Sequence, residues 1–143
     1  MARAEEIREE PTTERREIDR RGKSAAGSSC EIKMLLAGYR FRFASERELQ
    51  DGVARVLDRA GLSHRREADL GQAGTIDFLV GDVGVEIKIK GALAQVTRQL
   101  HRYAEEPSVR ELLLVTGSAR LDRLPSSLCG KPLGVLHLLA SAF

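Results

Sequence analysis

The chain turns on one run, Gly74-Thr75-Ile76-Asp77-Phe78-Leu79-Val80, then Gly81-Asp82-Val83-Gly84, then Val85-Glu86-Ile87-Lys88-Ile89-Lys90. Two segments rich in β-branched residues flank a short glycine-bounded loop, the pattern of a β-hairpin. Setting Val80 opposite Val85 pairs Phe78 with Ile87 and Ile76 with Ile89, which predicts one continuous apolar face. The other face carries Asp77, Leu79, Glu86 and Lys88. In this register Asp77 lies opposite Lys88, and Glu86 lies diagonally from Asp77, within roughly 7–8 Å. A slip of one residue would scatter both sets. Two carboxylates and an ammonium thus meet on one side of a sheet. Such a cluster is either a solvated cross-strand ion pair or a divalent-cation site, since oxygen ligands suit Mg²⁺ or Mn²⁺.

At 143 residues the chain is long enough for one domain with a real core. Charged residues make up 31% yet net to only +2, so no strong global field draws it to nucleic acid and any basic surface is local. The two cysteines, Cys30 and Cys129, form neither a disulfide framework nor a zinc set, and a reducing cytoplasmic compartment is the expectation. No apolar run approaches the roughly 20 residues of a membrane-spanning helix, and the N-terminus has no apolar signal core.

Outward from the hairpin the elements follow from periodicity. Residues 1–29 interleave acidic and basic side chains around only two large apolar residues besides Met1, Ile7 and Ile18, and are expected as a flexible charged tail, leaving 30–143 as the domain. Cys30–Phe43 is ambiguous. Its Tyr39-Arg40-Phe41-Arg42-Phe43 alternation suits a short strand or an extended lead-in that packs on the core. Ser45 and Glu48 form a capping box for a helix ending at Gly61, with Leu49, Val53, Val56 and Leu57 at helical spacing. Glu46 sits at the inward edge of this helix, and Glu48 on its outer face. His64–Leu70 reads as a polar strand, with Glu67 able to point toward the site. Ala92–Ala104 is a second helix with Leu93, Val96, Leu100 and Ala104 as its stripe; Gln95, Gln99 and Tyr103 form a neighbouring stripe flanked by Arg98 and Arg102. Glu111–Thr116 is a strand buried on both faces, reached by a parallel crossover. Leu133–Leu139 is the last strand, and His64 and His137 read as structural.

The order helix, strand, strand, strand, helix, strand carries an acid in the first helix, Asp77 in Gly-x-Ile-Asp-Phe, Glu86-Ile-Lys88 and Gln95-x-x-x-Gln99-Leu-x-x-Tyr103. Over Ser45–Thr116 this resembles the PD-(D/E)XK nuclease superfamily, which includes restriction enzymes, Holliday-junction resolvases and the small VRR-NUC nucleases. The resemblance implies an α/β, restriction-endonuclease-like α-β-β-β-α-β core with helices flanking a central mixed sheet. It implies Asp77 and Glu86 as metal-binding acids with the Ile87 carbonyl as a further ligand, and Lys88 as the family's lysine. Gln99 resembles its post-strand glutamine, and Glu46, with Glu48 as competitor, its first-helix acid. Ile76 departs from the pattern, standing where the family name has proline.

The function implied is Mg²⁺- or Mn²⁺-dependent hydrolysis of DNA phosphodiester bonds, with Lys90, Arg98, Gln95, Tyr103 and Arg102 contacting DNA. No base-reading element is visible, so structure- or end-dependent cleavage is expected over sequence-specific cleavage. Two alternatives stand beside it. One is a Holliday-junction resolvase, whose symmetric cuts call for a homodimer, with Leu133–Phe143 as the apolar surface. The other is a catalytically silent DNA-binding or assembly module on the same fold.

Overall fold

The computed structural model describes residues 27–139. The tail expected over residues 1–29 lies almost wholly outside them, but its last residues belong to the fold. Ser28 caps a helix, α1 (Ser29–Ala37), accepting a hydrogen bond from the Glu31 amide at 3.2 Å. Ser29 is buried, and its amide and hydroxyl donate to Glu111 Oε1 at 3.1 and 2.9 Å. Ile32 and Leu36, one turn apart, face the core. The ambiguous segment is therefore helical in its first half. Its second half runs on as non-strand backbone that buries Phe41 against Gly52 of the next helix, where a Cβ would come within 3.0 Å of the ring.

The remaining elements are α2 (Glu46–Arg59), β1 (Arg65–Asp69), β2 (Thr75–Val80), β3 (Val83–Lys88), α3 (Leu93–Ala104), β4 (Glu111–Thr116), β5 (Ser127–Leu128) and β6 (Lys131–His137), with two 3₁₀ turns. They form an α/β fold around an open, mixed six-stranded sheet of order β1-β2-β3-β4-β6-β5. Antiparallel pairing joins β1, β2 and β3; β3, β4 and β6 run parallel; β5 turns back antiparallel on β6. Helices α1 and α2 cover one face, over Phe78, Val80, Val83, Val85, Ile87, Leu113 and Val115. Helix α3 covers the other, with Val96, Leu100 and Tyr103 over Ile76, Leu79, Leu112 and Leu114. Strand β4 is thus apolar on both sides, as a strand between helical layers requires, whereas β3 is apolar only toward α1 and α2 and carries Glu86 and Lys88 on its other face. Among the described residues no helix is long and apolar enough to cross a membrane.

The hairpin differs from the expected register by two residues. Val80 pairs with Val83 and Phe78 with Val85. The loop is the two-residue Gly81-Asp82, with Gly81 at φ 63°, because a glycine at the first central position lets the turn follow the natural strand twist. Gly84 becomes a strand residue, and a Cβ on it would stand 2.6 Å from Ile76 Cδ1 and 3.0 Å from Leu112 Cδ2. Continued one step, this register sets Asp77 across from Glu86 rather than from Lys88. A shift of two preserves the side-chain alternation of β3, so Glu86 and Lys88 keep a common face.

The single apolar face is also corrected. Ile76 belongs to the α3 layer and Phe78 to the α2 layer, although they are two residues apart on one strand. The cause lies in β1. Arg66 pairs with Phe78 and Ala68 with Ile76, while Glu67 between them takes a left-handed φ of 51°. Both strands turn over at this step, and Asp77 sits at the pivot. Glu67 itself is exposed.

Candidate active site

Asp77 and Glu86 clasp each other through backbone amides. The Asp77 N–H donates to Glu86 Oε1 at 3.1 Å, and the Ile87 N–H donates to Asp77 Oδ2 at 2.7 Å. Regular backbone pairing of β2 with β3 stops at Phe78–Val85. Beyond it, carboxylates take the place of ladder carbonyls, so neither amide is left without an acceptor. The pivot at Asp77 makes this possible, since it turns the Asp77 carboxylate toward the seam between the strands.

Helices from both layers reach the pair. From α2, Gln50 Nε2 donates to Asp77 Oδ1 at 3.0 Å, and Glu46 Oε2 accepts the Ile89 N–H at 3.0 Å. The two acids of this helix lie apart: Glu48 is exposed, its amide bonded to the Ser45 cap, whereas Glu46 touches the chain immediately after β3. From α3, the buried Tyr103 hydroxyl donates to the Thr75 carbonyl at 2.8 Å and lies 3.4 Å from Glu86 Oε2. Gln99, one turn earlier, donates to the Tyr103 oxygen at 2.9 Å. Lys88 Nζ stands 4.0 Å from Glu86 Oε2 with a quarter of its side chain exposed.

Burial dominates the electrostatics. Glu86 is only 3% exposed, and desolvation together with the adjacent Asp77 charge pushes its carboxyl up to about 8. Burial raises Asp77 as well, opposed by the Ile87 amide. Tyr103 is raised by its burial and by the Glu86 charge beside it. Burial works against charge on both carboxyls, and the cation beside them is Lys88, 4.0 Å from Glu86.

Of the residues expected in the site, Glu46, Asp77, Glu86, Ile87, Lys88 and Gln99 come together, and Tyr103, expected against DNA, is instead buried among them with its hydroxyl held by Thr75 and Glu86. Gln95, Arg98, Arg102 and Lys90 are exposed to solvent, outside the hydrogen-bonded cluster. Gln50 was not foreseen. Its signal is faint but present: it lies four residues after Glu46, on the same side of α2. Behind it, Arg66 donates to Gln50 Oε1 at 3.3 Å, pairs with Asp51 at 2.7 Å and lies 5.9 Å above the Phe78 ring.

Among the described residues no group of three or more His, Cys, Asp or Glu side chains stands ready to hold a metal ion. The protein's own contribution is the Asp77–Glu86 pair. Mg²⁺ commonly takes one or two carboxylates and completes its shell with water and phosphate, so a two-acid oxygen set fits such an ion. The chain matches no protein-family model, no curated protein and no solved structure.

Proposed function

We propose that this protein is a divalent-metal-dependent nuclease that hydrolyses DNA phosphodiester bonds, on a restriction-endonuclease-like core built from α2, β1, β2, β3, α3 and β4. The observation that carries the reading is the gathering of Glu46, Lys88 and the Gln99–Tyr103 pair, from β3 and two opposed helices, around the Asp77–Glu86 pair, of which Glu86 is buried and Asp77 half-buried. A solvated ion pair would need none of these supports.

In this reading Asp77 and Glu86, with the Ile87 carbonyl, hold Mg²⁺ or Mn²⁺. When bound there, such an ion would supply Lewis acidity and a water of lowered pKa. Tyr103, steadied by Gln99, fixes the Glu86 carboxylate from the α3 side, and Gln50 fixes Asp77 from the α2 side. Lys88 offers a compact positive charge beside Glu86, where negative charge develops on the phosphate. Lys90, Arg98, Arg102 and Gln95 are exposed and suited to backbone phosphates, contacts that bring affinity without sequence information. Structure- or end-dependent cutting follows. The two free cysteines support a cytoplasmic location, and symmetric junction cutting would add a homodimer.

The test is cleavage of a plasmid, single strands, a flapped duplex and a four-way junction, with Mg²⁺ and with EDTA. Cutting that needs Mg²⁺ and disappears in Glu86→Ala and Lys88→Ala is the expected result; cutting at the wild-type rate by both variants would sink the assignment. A silent DNA-binding module is the second reading. It is favoured by the engagement of both carboxylates with backbone amides, and it predicts retention of these DNAs in a gel without cleavage in any metal.

A further inference from the structure

A second constellation lies outside the acid pair. Strands β5 and β6 are joined by Cys129-Gly130, both with left-handed φ, 52° and 74°. This two-residue turn is held against the end of α3. Lys131 Nζ donates to the Glu106 carbonyl at 2.8 Å, and Cys129 Sγ lies 3.4 Å from His101 Nε2. One helical turn beyond His101, Glu105 Oε1 is 3.1 Å from His101 Nδ1. Cysteine, histidine and glutamate thus stand in line, and all three are exposed.

The order of the contacts fixes their chemistry. An ionised carboxylate only accepts, so Nδ1 carries the proton donated to Glu105. In the neutral imidazole Nε2 then presents its lone pair to the thiol. This is the arrangement of nucleophile, base and orienting acid that activates a sulfur. Cys129 is exposed, so a small reagent reaches Sγ from solvent. No part of this depends on the nuclease reading.

We propose that Cys129 is a thiol-modification site, activated by His101, that takes low-molecular-weight disulfides of the glutathione type. In the step, the Cys129 proton passes to His101 Nε2 and the sulfur attacks one sulfur of the disulfide. The disulfide bond breaks as the Cys129–S–S–R bond forms. The departing half leaves as a thiolate and recovers the proton from His101. Cys129 is oxidised, and the released thiol is the reduced product.

The experiment uses the full chain carrying Cys30→Ser, which leaves Cys129 as its sole thiol. It is treated with glutathione disulfide at neutral pH in EDTA, and the mixed disulfide is followed by intact mass. The expected rate is about tenfold above that of the same chain with His101→Ala, and about tenfold above that of the chain unfolded in urea. Because His101 is exposed, its substitution leaves the fold in place, which matching unfolding curves verify. An advantage under about threefold in either comparison overturns the proposal.

Discussion

Glu86 carries the sharpest consequence at the level of single residues. Its carboxyl titrates near 8 in the fold and at the ordinary 4.5 in the unfolded chain. The folded state therefore binds more protons between these values, and stability falls as pH rises from about 4.5 to about 8, then levels off. Asp77, also raised, adds to the same trend. Glu86→Gln removes the larger part of it. Urea denaturation across this range should show a flatter profile for the variant and a variant more stable than wild type near pH 8; a wild-type slope in Glu86→Gln would show that the burial cost resides elsewhere. Gln50 is the other informative residue. Gln50→Ala removes the donor to Asp77 Oδ1 at a partly buried site, which costs about 1 kcal/mol of stability. If the acid pair is catalytic, losing its orienting partner should lower cleavage about 10–100-fold with the fold intact. Unchanged cleavage would remove Gln50 from the site.

Among elements, the β1–β2 pivot is the feature on which the site depends. A left-handed φ at a glutamate is strained, costing about 1 kcal/mol or more. Glu67→Gly should therefore be neutral or stabilising in thermal denaturation. Glycine at Arg65, in the regular part of the same strand, should instead destabilise by about 0.5–1 kcal/mol. Gly84 tests the packing beneath. A methyl group there meets Ile76 and Leu112, both buried between sheet and α3, so Gly84→Ala should cost about 1–3 kcal/mol. A neutral Gly84→Ala would mean that the β2–β3 seam yields more easily than this arrangement allows.

Across the whole fold, the described residues form two cores, one on each face of the sheet. The α2–β6 side is extended by α1, whose first turn is tied to β4 by the Glu111 carboxylate. Glu111→Ala leaves the Ser29 amide and hydroxyl without that acceptor, a loss of about 1–3 kcal/mol. Hydrogen exchange should then quicken in α1 ahead of β3 and β4; uniform exchange throughout would show that α1 unfolds only with the rest.

The order of elements from α2 to β4, the ends of α2 and α3, the buried β4 strand and the chemical types at the acid pair were legible in the chain, because capping residues and hydrophobic period act within a few positions. Local pattern also identified Asp77, Glu86 and Lys88 as one neighbourhood, since a two-residue error in register leaves alternation intact. What local pattern could not supply was the actual pairing of the strands, the transfer of Ile76 to the opposite layer, the part played by Gln50 and the helical form of α1. These depend on Glu67 taking a left-handed backbone, on Gly84 leaving room for a side chain from the neighbouring strand, and on Glu111 receiving Ser29 from 82 positions away. Such choices are decided by which groups must be buried or satisfied once the layers close, and that is a property of the packed chain rather than of any segment within it.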